Sequence, residues 1–235
     1  MEFIQIWVAR SQPLTEIQER MAAACTRAGR APSEVQLVAV SKTHGPAAVD
    51  EAVACGLTVF GESRVQEANA KMPECPSGLT WHLIGHLQRN KVKLAVQLFD
   101  SIQTVDSLRL AEVIDKECRK IERVMPILIE VNADREPQKS GVLPEAAIDL
   151  IREIARLEGV RIRGLMTMGA LVGDPEELRP VFSATKSLFD RITASQIPNV
   201  SMEVLSMGMS ASYAVAIEEG ATMIRLGTTI FGPRV

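Results

Sequence analysis

A closed (β/α)8 barrel of the TIM type, with one extra helix ahead of it, is the fold class that this 235-residue sequence predicts. Three observations lead there. Eight short apolar runs alternate with helix-length amphipathic segments, the pattern of parallel strands joined by crossover helices. The first run, Val35–Val40, reads as a strand covered on both faces, as strands of parallel sheets are. No Gly/Ser-rich linker or break in composition divides the chain, which points to one domain over 1–235, with a helix at about 11–28 and the barrel at about 35–232.

The elements follow in order. Leu14, Ile17, Met21, Ala24, Cys25 and Ala28 recur at helical spacing before any strand, and Gly29 supplies a stop. Strands are expected at Val35–Val40, Thr58–Phe60, Thr80–Ile84, Phe99–Gln103, Met125–Val131, Arg161–Thr167, Ser201–Leu205 and Met223–Leu226. Helices are expected at Pro46–Cys55, with Pro at its first position and Gly56 after its end, and at Ser107–Ile121 behind the cap Asp106. Three more are expected at Pro144–Glu158, which stops at Gly159, at Pro175–Ser195, and at Ser212–Glu219, closed by Gly220. The chain ends at Val235, soon after the eighth strand, so the N-terminal helix is expected to take the place of an eighth outer helix.

Composition narrows the function classes. A net charge of -3 gives no basic field for nucleic acid or an anionic membrane, and no run reaches the length of a membrane span. The apolar stretch Phe3–Val8 is too short for a signal core and is preceded by Glu2, not by a basic region. Cys25, Cys55, Cys75 and Cys118 are scattered without metal spacing, as expected of reduced thiols in a cytoplasmic protein. With three histidines a histidine-rich metal site is not expected either, and no seam specific to a dimer is visible, so a monomer is expected.

In a barrel of this kind the residues just after each strand meet at one mouth. Those residues include Lys42, Ser63, His86, Asn132 and Arg225, together with two loops suited to a phosphate, Ser206-Met207-Gly208-Met209-Ser210 and Gly227-Thr228-Thr229. Lys42 is an amine able to form a Schiff base, or else a strand-end lysine reaching into solvent. Arg225 sits in the apolar run Met223–Leu226, where it needs an acceptor: a strand-end carboxylate or a ligand. His82 falls inside a strand and reads as a satisfied interior histidine, and the methionine pairs 166/168 and 207/209 read as packing.

The assembled motifs resemble the pyridoxal phosphate homeostasis protein family, whose members look like the barrel domain of alanine racemases standing alone. The likeness runs from about Val35 to Gly232. It rests on Val38-Ala-Val-Ser-Lys42, Phe60-Gly-Glu62, Trp81-His-Leu-Ile-Gly-His-Leu-Gln88, Asn90-Lys-Val-Lys93, Gly164-Leu-Met-Thr167, Ser206-Met-Gly-Met-Ser210 and Ile224-Arg-Leu-Gly-Thr228 with Phe231-Gly232. It implies a pyridoxal 5'-phosphate cofactor whose aldehyde Lys42 holds as an aldimine, with Ser206, Gly227 and Thr228 on the phosphate and Arg225 facing the pyridine nitrogen. Ser63, His86, Met207 and Gly208 complete the expected cofactor contacts. Two departures stand out: Gly61-Glu62-Ser63 where the family pattern has Gly-Glu-Asn, and Met209-Ser210-Ala211-Ser212 where it has Met-Ser-X-Asp.

An always-charged arginine opposite the pyridine nitrogen disfavours the protonated ring and weakens it as an electron sink. Racemases of this likeness also take a catalytic tyrosine from a second, β-rich domain. The single tyrosine here, Tyr213, follows the phosphate-type loop and is expected to pack in a helix. The expected function is therefore holding pyridoxal phosphate in vitamin B6 homeostasis, as a carrier or buffer with apoenzymes as transient recipients. The alternatives are an amino-acid racemase with His86 or water as second base, a cofactor-free Schiff-base aldolase, and a docking module using Arg89–Lys93, whose plain reading is a solvated helix start.

Overall fold

The computed structural model describes residues 2–170 and 172–232; Met1, Leu171 and 233–235, which the expected span of 1–235 includes, lie outside the described residues. Eight strands form a closed barrel in chain order, each parallel to its neighbours: β1 (Gln36–Val40), β2 (Val59–Glu62), β3 (Thr80–Leu83), β4 (Ser101–Val105), β5 (Met125–Glu130), β6 (Val160–Met166), β7 (Val200–Ser206) and β8 (Met223–Leu226). β8 closes on β1 with Val38 level with Arg225. Because side chains alternate along a strand, Met223 and Arg225 share one face of β8 and Ile224 and Leu226 the other.

The helices are α1 (Glu2–Arg27), α2 (Pro46–Ala54), α3 (Val65–Lys71), α4 (Val92–Leu98), α5 (Leu108–Arg119), α6 (Ala147–Ile154), α7 (Arg179–Ala194), α8 (Tyr213–Glu218) and α9 (Thr228–Phe231). The expected stripe of α1 is its inner face: Leu14, Ile17, Met21, Ala24 and Cys25 are buried. α1 packs on α8, α9 and α2, the helices next to β8 and β1 in the chain, and so joins the outer helical layer there. Its helical course begins earlier than expected, at Glu2, and runs through Pro13.

Several boundaries moved for physical reasons. Pro144 does not open α6: the Ala146 N–H bonds the Leu143 carbonyl at 3.0 Å to close a turn, and the helix begins only at Ala147. The segment expected as one helix from Pro175 is a 3-10 turn, Pro175–Leu178, capped by Asp174, and then α7. Pro180, lacking an N–H, fits the first turn of α7 but would break a continuous helix. Phe99 ends α4, its N–H bonded to Ala95, so β4 starts two residues beyond the expected Phe99.

Among the described residues no helix is long and apolar enough to cross a membrane. The four cysteines are free thiols.

Candidate functional site

The turn after β1 carries Lys42 between two held neighbours. Ser41 is fully buried, and Thr43 adopts a left-handed backbone with φ 68°. Farther along the loop, His44 stacks on Phe231 of α9 with ring centroids 5.2 Å apart, tying the Lys42 loop to the segment after β8.

Lys42 opens on a cavity of about 490 Å³ at the strand ends. Its polar lining comprises Lys42, Ser63, Ser210, Ser212, Arg225 and Thr228, with Gly227 beside them. Its apolar wall comes from Val40 and Ile84 and from the stretch after β6, where Met168, Ala170, Val172 and Leu178 line it. That volume suits a ligand of cofactor size. A Cβ added at Gly227 would meet only ordinary contacts, the nearest being the Val40 carbonyl oxygen at 3.4 Å, so packing does not demand glycine there. What glycine does is bare the backbone beside the cavity, at the start of a helix whose first N–H groups have no partner within it.

Arg225 is 3% exposed, and its acceptors are neutral. Nη1 donates to Ser206 Oγ at 2.6 Å and Nη2 to the Thr167 carbonyl at 2.9 Å. Ser206 Oγ donates to Gln103 Oε1 at 2.7 Å, and the Gln103 amide nitrogen lies 2.8 Å from His82 Nδ1. A chain of bonds thus crosses the barrel interior from β8 through β7 and β4 to β3. Burial pushes His82 down to about 4, so it is neutral near pH 7 and satisfied inside the barrel. Burial also pushes Arg225 down to about 10, against the pull of Glu130, and leaves it a cation at neutral pH. Glu130 is pushed up to about 7, chiefly by burial, then by repulsion from Asp106, while Arg225 opposes both. The ion pair considered for Arg225 is therefore a field effect from Glu130, whose Oε2 is buried without a hydrogen-bond partner.

The structure gathers Lys42, Ser63, Arg225, Gly227 and Thr228 around one cavity and sets four other expected residues apart from its lining. Ser206 lies behind Arg225. Met207 is fully buried, its N–H bonded to the Met223 carbonyl. Gly208 has φ 91°, and a Cβ there would come within 2.5 Å of the Ala216 Cβ, so its glycine serves backbone conformation and packing. His86 lines a separate groove of about 700 Å³ with Gln88, Arg89, Asp106, Ser107 and Arg109. Arg89 begins the 3-10 turn Arg89–Lys91 that leads into α4, the plain reading of that basic segment.

Ser210 lines the cavity and was legible only as part of a loop, because the motif does not show which of its serines turns inward. Ser212 fills the place of the family's acid at the start of α8, its Oγ 3.3 Å from the Met209 N–H. Tyr213 is buried as expected, with the Arg20 guanidinium 5.3 Å from its ring centroid.

The sequence profile described as "Alanine racemase, N-terminal domain" matches residues 14–235. The pyridoxal phosphate homeostasis protein of Aquifex aeolicus is 41% identical over 222 residues, 94% of this chain and 96% of that one. The chain belongs to the pyridoxal phosphate homeostasis protein family. PipY of Synechococcus elongatus, solved with pyridoxal phosphate bound, is 41% identical and superposes with a TM-score of 0.80 over 92% of this chain and all of that one. An alanine racemase of Clostridium difficile, 15% identical with a TM-score of 0.71, shares the barrel fold; 55% of its chain is covered.

Proposed function

We propose that this chain binds pyridoxal 5'-phosphate in the mouth cavity, bonds its aldehyde carbon through Lys42, and holds it for homeostasis as a carrier or buffer without efficient catalysis. One observation carries the reading. Lys42 and Arg225 line the same cavity, and among the described residues lining it there is no imidazole, phenol or carboxylate. The bound group would supply a reactive aldehyde and an electron-withdrawing ring.

The residues divide the work. Lys42 must lose a proton before its amine can attack, since an ordinary lysine is protonated at neutral pH. Arg225, fixed by Ser206 and Thr167, would present a cation to the pyridine nitrogen and disfavour a proton there. Gly227, Thr228 and Ser210 would take the phosphate with backbone N–H groups and hydroxyls, and the wall of Ile84, Met168 and Leu178 would cover the ring. Moving an α-proton on both faces of an amino acid needs a second acid-base group beside Lys42. His86 and Tyr213 lie outside the cavity lining, which supports holding over turnover. The names of the relatives and the ligand in PipY support the same reading.

The test is an absorbance spectrum of the purified protein with pyridoxal phosphate, then borohydride reduction and mass analysis of the modified peptide. A visible band is expected that Lys42→Ala abolishes, with the adduct on Lys42. An adduct on any other lysine overturns the assignment. Exchange of the α-proton of alanine into deuterated water at turnover rates overturns the non-catalytic part.

A further inference from the structure

A second lysine, Lys71, stands at the end of α3 and is almost wholly buried, at 6% exposure. All three of its protons have acceptors: the Ser41 carbonyl at 2.8 Å, Glu62 Oε1 at 2.7 Å and Glu67 Oε1 at 3.2 Å. Glu62 Oε1 also takes the Ser41 hydroxyl at 2.7 Å, and Glu67 Oε1 takes the backbone N–H of Thr43 at 2.5 Å. These bonds fall on the residue before Lys42 and the residue after it.

The local sequence explains how one ammonium reaches the barrel mouth. α3 leaves the end of β2, so its start lies at the mouth and Lys71 lies two turns below. Helical side chains lean toward the helix start, and Glu67 sits four residues before Lys71 on the same face. The long lysine therefore runs up past Glu67 toward Ser41 and Glu62.

Taking a lysine and a glutamate out of water is costly, and an apolar pair would fill the space at less expense. A role in holding the neighbouring turn accounts for this arrangement. Thr43 is β-branched with φ 68°, a conformation such a residue keeps only when its surroundings impose it. Were Thr43 to relax, the turn would rotate and carry the Lys42 side chain away from the cavity.

We propose that Lys71, with Glu62 and Glu67, is a positioning residue for Lys42: this triad, two of its members buried, grips the backbone on both sides of it and aims its amine into the cavity. This rests on the reading of Lys42 given above. It predicts that the triad serves capture of an aldehyde and not affinity for the phosphorylated ring as such.

The test compares two ligands on the full chain, pyridoxal 5'-phosphate and pyridoxine 5'-phosphate, which lacks the aldehyde. In Glu67→Ala, a change at a partly exposed position, pyridoxal phosphate capture by Lys42, trapped with borohydride, should weaken roughly ten- to a hundredfold. Pyridoxine phosphate should bind as it does to the unaltered chain. Glu67→Gln, which keeps an acceptor for the Thr43 N–H, should restore most of the capture. Equal capture in Glu67→Ala and the unaltered chain overturns the proposal, and so does parallel loss of both ligands, the mark of a merely structural role. An unaltered chain that yields no adduct on Lys42 overturns the cofactor reading and this proposal with it.

Discussion

Arg225 donates to Ser206 at 2.6 Å, and the serine spends its single proton on Gln103 Oε1 at 2.7 Å. A hydroxyl so placed is a bracket for the guanidinium. The family likeness implies a phosphate contact for Ser206; in this structure its hydroxyl bridges Arg225 and Gln103.

Ser206→Ala therefore removes a buried bond to a charged donor, at a cost of about 1.5–3 kcal/mol in unfolding free energy. Loosening Arg225 should weaken pyridoxal and pyridoxal phosphate by the same factor, measured by absorbance titration of each. A loss confined to the phosphorylated compound would return Ser206 to the phosphate.

Ser210→Ala and Thr228→Val should do the opposite. Both residues line the cavity, and each is expected to give the phosphate a charge-assisted bond. Either change should weaken pyridoxal phosphate about tenfold and leave pyridoxal nearly unchanged. Equal losses for the two ligands would show that these hydroxyls hold the loop and not the anion.

How much of this was legible follows from where the information sits. Strands and long helices announce themselves by period, and all eight strands fall close to the apolar runs. α3 and α4 are seven residues each, too short for a helical period to separate them from a loop. β2 was expected to stop at Phe60. It continues through Glu62 because Gly61 and Glu62 pair with His82 and Leu83 of β3, a tertiary partnership that no local pattern reveals. The candidate site divides the same way. Lys42, Ser63, Arg225, Gly227 and Thr228 follow from being at strand ends, whereas no local pattern shows that Ser206 bonds Arg225 and Gln103 or that His86 lines another groove.

The buried groups set a pH dependence that can be read in one variant. Glu130 is at about 7 in the folded chain against an ordinary 4.5, so stability is greatest below 4.5 and is lost as pH rises through 7. His82 is at about 4 against 6.5, so its contribution is full above 6.5 and is lost as pH falls through 4. The two trends oppose each other across most of that window and flatten the profile. Glu130→Gln removes one of them. Its unfolding free energy, from urea melts of the ligand-free protein, should then rise by about 3 kcal/mol more than that of the unaltered chain between pH 4.5 and 7. Parallel profiles would mean that Glu130 is ionised in place.

Gly85 links the fold to the cavity through a close approach. A Cβ there would lie 2.3 Å from the Ser63 carbonyl oxygen, a backbone atom that cannot swing aside, and Gly85 and Ser63 both line the cavity. Gly85→Ala must push the end of β3 away from the turn after β2, costing about 1–3 kcal/mol as overpacking does. Because that turn precedes α3, which carries Glu67 and Lys71, the displacement should also weaken aldehyde capture at Lys42. Gly173→Ala, where nothing lies within 4 Å of the added carbon, should stay within about 0.5 kcal/mol of the unaltered chain. Urea midpoints and borohydride trapping of both variants decide it: equal stability for the two would show that the β2 turn has room to yield, and capture unchanged in a destabilised Gly85→Ala would show that the turn and Lys42 move independently.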